Sequence, residues 1–484
     1  MLRRLLVGTL AGFFAWLLVP AIALAHGLIL HVDLPIPQWL FAWAAAIVLV
    51  VSFVALATLW PAPRLARIRE RPIWRFPGWL EPICGALGVA FFVLIVYAGI
   101  AGSQITLSNI TPTWIYVIFW VGLAFASILF GDAFRPFNPW RALARFVAWV
   151  ARRAGRESLA AEPLRYPDWL GRWPAVAGLV GYAWLELVYT QVSNSVPSLL
   201  AFLSLGYAAV QLIGMSLYGI DTWTERADAF SVFYEFLGRI APLRWERAAG
   251  KTGGEVYLRP PFVGALSLDL IPGTIPMVLA MIGTTSFDGF SNSSLWLNGN
   301  GLFYDFQSLF SGLGLGGGLD LSADLLAGTL GLILMLCVIG GFFRLGILGM
   351  RSIGAEYDTK QLTNAFAHTL LPIAVAYFVA HYFSLLVFSG QSLIPLISDP
   401  LGNGANLFGT ANFQPDYNIL TGNVLWYVQV LALLAGHAAG ITLAHDRALT
   451  LYRDPRDAIR SQYWMLTVMV GFTCLGLWIL SSTY

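Results

Sequence analysis

All 28 lysines and arginines of this 484-residue chain lie at its start or in alternate gaps between its apolar stretches. The stretches run over 38–60, 82–101, 113–130, 174–191, 196–219, 261–285, 323–343, 364–388, 424–446 and 463–481. Each approaches or exceeds the ~20 mostly apolar residues that a bilayer crossing needs. Arg3 and Arg4 precede them, and the other basic residues follow the first, third, fifth, seventh and ninth stretches. The connections 101–112, 191–196, 286–322 and 389–423 contain none. Positive-inside sorting is thus satisfied at every connection. It predicts an all-α transmembrane bundle of about ten spans in a bacterial cytoplasmic (inner) membrane, crossed several times, with the lipid bilayer as its standing partner.

Composition agrees. Only 11% of residues are charged, against about 25% in soluble domains. A net charge of +2 gives no reason to expect a nucleic-acid partner. Cys84, Cys337 and Cys474 sit in separate apolar stretches without C-x-x-C spacing, so they read as small buried hydrophobes.

Residues 1–25 have the form of a signal peptide: a basic start, an apolar core and Ala23-Leu-Ala25 before His26. The alternative is an uncleaved first span. Residues 26–484 are then expected to form a single transmembrane bundle. The outer connections 286–322 and 389–423 are long enough to suggest function, and their aromatic residues suggest a folded cap. On the inner side, 136–156 and 221–243 mix aromatic residues with charge and read as amphipathic helices in the interface.

Candidate chemistry centres on ionisable groups within the spans, which are costly there and usually face a bundle interior or wet cavity. His368 and His381 lie in the eighth stretch, His437 and His445 in the ninth. If these stretches are antiparallel neighbours, two pairings arise: an inner one, His368 with His445, and an outer one, His381 with His437. His445, Asp446 and Arg447 are expected at the cytoplasmic rim, in reach of water. Glu186 in the fourth stretch lies at a depth similar to that of His381. His381, His437 and Glu186 therefore form the leading candidate ligand set for a divalent metal, with zinc, iron or copper suited to those donors. His26, His31, Asp269, His368 and His445 are second candidates. His26 would pair a ring nitrogen with a free amine if the chain is cut after Ala25. Asp269 precedes Pro272, Gly273 and Pro276, which predict a broken sixth helix.

Longer runs carry a resemblance. These are A-H-G at 25–27, L-P-I-P-Q-W-L-F-A-W-A-A-A at 34–46, S-F-V-A-L-A-T-L-W-P at 52–61, W-L-E-L-V-Y at 184–189, H-D-R-A-L at 445–449 and S-Q-Y-W-M-L at 461–466. Together they resemble bacterial polytopic membrane proteins labelled fenitrothion hydrolase. The resemblance implies hydrolysis of an organophosphate-type ester of a small molecule. It supplies no catalytic residue, and neither G-x-S-x-G nor H-E-x-x-H is present. The leading expectation is a membrane-embedded, metal-assisted hydrolase of phosphoester-type substrates. The alternatives are a metal or solute transporter and a structural subunit of a membrane complex.

The charge pattern generates a direct test. Single cysteines in 286–322 and in 389–423, with Cys84, Cys337 and Cys474 replaced, are expected to react with an impermeant thiol reagent in intact cells. Labelling only after lysis would reverse the orientation.

Overall fold

A computed structural model describes residues 38–154, 163–189, 196–247, 253–299, 301–315, 322–353 and 357–482. The signal-like segment, His26 and His31 lie outside the described residues. A helix overlaps each of the ten apolar stretches: α1 (Gln38–Leu59), α2 (Leu80–Ala101), α3 (Ile110–Phe130), α5 (Trp173–Trp184), α6 (Pro197–Tyr218), α8 (Thr274–Ser291), α9 (Ala323–Arg351), α10 (Leu371–Ser389), α11 (Gly422–Leu451) and α12 (Pro455–Ser482). Two further helices, α4 (Pro139–Arg153) and α7 (Ala229–Gly238), come from the Arg-bearing connections. Six helical stretches among the described residues are long and apolar enough to cross a membrane: α2, α3, α6, α9, α11 and Thr359–Ser398, which contains α10.

The chain divides into two compact units. The first comprises Met1–Pro63, Thr285–Phe366 and Leu420–Tyr484, and the second Arg64–Thr284 and Ala367–Ile419. In the first, α12 packs against α1, α9 and α11. His445 is buried there rather than open to water. Its Nε2 lies 3.0 Å from Trp60 O, while the Trp60 indole donates to Asp446 Oδ1 at 3.0 Å. The rim expectation failed because it placed the side chain by sequence distance from Arg447. The end of α1 folds over it instead.

In the second unit, α2 is packed so closely that side chains are excluded. A Cβ at Gly99 would lie 2.7 Å from Ala201 Cβ, and one at Gly88 only 1.9 Å from Phe137 O. Small residues let membrane helices approach where lipid offers no hydrophobic contrast to drive association. The connection 389–423, expected on the outer side, folds. The backbone N–H of Ser103 donates to Leu401 O at 2.7 Å, and that of Ile110 to Pro400 O at 3.2 Å. These bonds fasten it to the 102–110 connection.

The sequence reading expected no sheet. Yet the Arg-bearing connections supply three antiparallel strands, β1 (Arg71–Pro77), β2 (Leu243–Arg247) and β3 (Gly253–Leu258), in the order β1-β3-β2. The alternation in R-P-I-W-R-F-P and L-R-W-E-R is a strand signal that the apolar runs overshadowed. The sixth stretch is broken as expected: a 3₁₀ turn at Val263–Ser267 precedes α8. The Arg172 guanidinium donates to the exposed carbonyl of Asp269 at 2.8 Å and to Thr274 Oγ1 at 2.7 Å.

The two interfacial helices part company. On α4, Phe146, Val147, Trp149 and Val150 are exposed while Arg141 is buried, which suits a helix with an apolar face to lipid. By contrast, α7 is buried on every face, all but Glu235 of its ten residues. A helix apolar all round belongs in a core, and A-F-S-V-F-Y-E-F-L-G has one charge in ten positions.

Asp228, fully buried before α7, joins these parts. Its Oδ2 accepts from Asn138 Nδ2 at 3.1 Å, Trp140 Nε1 at 2.7 Å and Ser231 Oγ at 2.6 Å, and its Oδ1 from Tyr207 Oη at 2.7 Å. Asn138 also caps α4 through Oδ1 to Arg141 N at 2.9 Å. Asp228→Asn removes the charge and puts an amide NH₂ beside Asn138 Nδ2 and Trp140 Nε1, neither of which can accept a hydrogen bond. We expect a loss of about 3 kcal/mol, the scale of breaking a buried charged network, read as a lower melting temperature in detergent. An unchanged melt would show that the network is dispensable.

Candidate functional site

The sequence-derived metal ligands are divided between the units. Glu186 lies in a π-helical stretch, Leu185–Tyr189, directly after α5, and His381 lies on α10 with its ring 4.7 Å from that of Tyr382. Both belong to the second unit. His437, buried on α11, belongs to the first, with Nδ1 2.7 Å from Leu433 O in its own helix. The inner pair is divided in the same way: His368 is in the second unit and His445 in the first. Asp269 is largely exposed and pairs with Arg239 at 3.5 Å. Among the described residues, no three His, Cys, Asp or Glu side chains stand close enough to hold one metal ion.

Charge gathers elsewhere, at the Arg-bearing end of the second unit. A cavity of about 560 Å³ opens between the start of α2, the end of α3, the end of α7 and strand β2. Arg135, Arg239, Arg244, Arg247 and Arg259 line it, with Glu81, Asp132 and Glu235. Arginine is thus in excess at the wall. Glu81, in the first turn of α2, is the main counter-charge. It accepts from Arg141 at 2.5 Å and also from Arg145 and Arg247. Arg141 is almost wholly enclosed, and burial, with Arg145 and Arg135 nearby, lowers its pKa to about 10. Arg259 is held rigidly, donating to the carbonyls of Ala241, Gly238 and Arg239 at 3.0 Å each. Arg135 is loosely held, 3.7 Å from Glu225.

Asp132 is placed by a turn that needs glycine. Gly131 has φ +90°, and a Cβ there would meet Leu243 O at 2.8 Å. Asp132 Oδ1 accepts from Arg135 N at 3.1 Å. Desolvation pushes the Asp132 pKa up to about 6. Arg135 and Arg141 pull it down, while Glu235 pushes it further up. A carboxyl that titrates near neutrality beside guanidinium groups can take a proton from water facing an anion. Sequence reasoning counted these arginines only as topology markers. The usable signal was G-D-A-F-R directly after the third stretch, and a lone acid, Glu81, just before the second.

No protein family, curated protein or solved structure matches this chain.

The shared carboxylate makes a prediction. Glu81→Gln leaves Arg141, Arg145 and Arg247 without their common partner, at a cost of about 3 kcal/mol. Added sulfate or phosphate should recover part of the lost melting temperature by occupying the basin. A melt equal to that of the parent would show that the three arginines do not depend on Glu81.

Proposed function

We propose that the chain is a multi-pass protein of the bacterial cytoplasmic membrane, with about ten spans. In this proposal it hydrolyses a phosphoester in the arginine-lined basin at its cytoplasmic rim. One observation carries the reading: Asp132, with its pKa raised to about 6, shares a cavity wall with five arginines. The resemblance to the fenitrothion hydrolase group supports the same reaction class. Guanidinium forks suit phosphate oxygens, which they grip in bidentate fashion. Arg135 and Arg247, the more exposed of the five, bind the phosphoryl oxygens and stabilise the charge that grows on them. Asp132 accepts a proton from water as its oxygen bonds to phosphorus. The bond to the ester oxygen breaks, and the leaving alkoxide takes that proton from Asp132. A divalent metal at His381, Glu186 or His437 enters none of these steps.

The carboxylate form of Asp132 is the working form, so hydrolysis of p-nitrophenyl phosphate by detergent-purified protein should rise with pH through about 6. Desolvation raises that midpoint most, Arg135 and Arg141 lower it and Glu235 raises it, with Tyr234 also facing the group. Asp132→Asn should lower kcat by about 10²–10⁴. Stability moves the other way. The folded state favours the protonated acid, so Asp132 stabilises the fold at low pH, and this contribution is lost as pH rises from about 4 to about 6. Asp132→Asn should therefore be more stable than the parent at pH 8, by on the order of 2 kcal/mol, and equal to it below pH 4. An Asn variant with full turnover would overturn the proposal.

A further inference from the structure

A second cavity, of about 480 Å³, lies along the same helices of the second unit. Its size is that of a ligand site, where about 300–1,000 Å³ is usual. Its wall is almost wholly apolar and draws on the π-helical stretches Trp114–Gly122 of α3 and Leu185–Tyr189. π-Helical turns widen a helix and recur at functional sites. One polar atom in this wall has no use within the fold. The Tyr182 hydroxyl is buried with no hydrogen-bond partner among the described residues. A buried donor left unpaired is costly, so a ligand acceptor there would supply the missing hydrogen bond.

The two cavities are stacked. On α2, Glu81 and Cys84 line the charged basin, while Gly88 and Phe91 line the apolar cavity. Cys84 and Gly88 are four residues apart, about 6 Å along the helix. Phe137 lines both spaces. An arginine-rich pocket at a helix end, with an apolar slot one turn further into the span, complements an anionic head joined to a hydrocarbon chain.

We infer that the substrate class is a lipid phosphate ester, with its phosphate in the basin, its chain in the apolar cavity and an ester carbonyl accepting from Tyr182. This deepens the hydrolase reading and rests on it for the reaction, but its binding geometry stands apart from turnover. Gly181 offers the test. It lines the cavity, and a Cβ there meets nothing within 4 Å, so Gly181→Leu can fill the slot without backbone strain. Ser204→Leu, from α6, fills it independently.

The experiment compares dioleoyl phosphatidate in mixed micelles with soluble p-nitrophenyl phosphate, using the full-length protein. We expect the lipid KM to be at least tenfold lower, and Gly181→Leu or Ser204→Leu to close that gap. Equal KM values, or a gap that both variants leave intact, would overturn the inference while the hydrolase reading stands. If neither ester is turned over, the hydrolase reading fails, and binding of the phosphatidate micelles decides the inference alone. Binding at least tenfold weaker in Gly181→Leu supports it. No binding, or binding the variant does not weaken, overturns it.

Discussion

A buried carboxylate with four donors holds the second unit in register. Asp228 has no exposure and receives bonds from Asn138, Trp140, Ser231 and Tyr207. An unsatisfied charge in that position would cost several kcal/mol. The four donors come from three helices. Asn138 and Trp140 belong to the start of α4, Ser231 to α7 and Tyr207 to α6. Satisfying one acid therefore fixes where α4 leaves the bundle and how α7 enters it. The basin inherits that precision, because Arg135 and Asp132 lie just before Asn138, while Glu235 and Gly238 end α7. A Cβ at Gly238 would meet Asp132 N at 2.5 Å, so the contact is set by backbone.

The rim is then closed by strands rather than by helices. Trp245 of β2 donates its indole N–H to Phe130 O at 2.6 Å, satisfying a carbonyl at the end of α3. That carbonyl belongs to the last turn, where no intrahelical donor remains. The same strand carries Arg244 and Arg247 toward the basin. Three antiparallel strands thus convert flexible arginine-rich connections into a wall with fixed charge positions.

The helices were readable because each apolar stretch is long and the connections change composition sharply. The break before α8 was readable from Pro272, Gly273 and Pro276, whose backbone constraints act locally. What could not be read was which helices meet. Depth along a span follows from residue count, so His381 and His437 could be given heights about 10 Å apart, but height says nothing about neighbours. The structure assigns them to different units. The burial of α7 was missed because Phe230, Phe233, Tyr234 and Phe236 suggested one apolar face. Ala229, Ser231, Val232 and Gly238 are small enough to be packed on the remaining faces, which composition alone does not announce.

The arginines hid their second role for a physical reason. Positive charge on one side of a membrane protein orients the chain whatever else it does, so each rim arginine already has an explanation in sequence. The structure separates the two roles by asking which charges are balanced. Arg244 is matched by Glu70 and Glu246, and Arg239 by Glu235 and Asp269. Glu81 must serve Arg141, Arg145 and Arg247 together, with Asp221 as the only other acid among the described residues that reaches the first two. A charge surplus inside a partly enclosed cavity is costly to maintain without an anion, since desolvation already lowers the Arg141 and Arg247 pKa values. Orientation alone needs no such enclosure. Basic residues spread through open loops would orient the chain equally well at lower cost. The enclosure, with Asp132 beside it and an apolar slot one turn deeper along α2, is therefore the part of the rim that topology leaves unexplained.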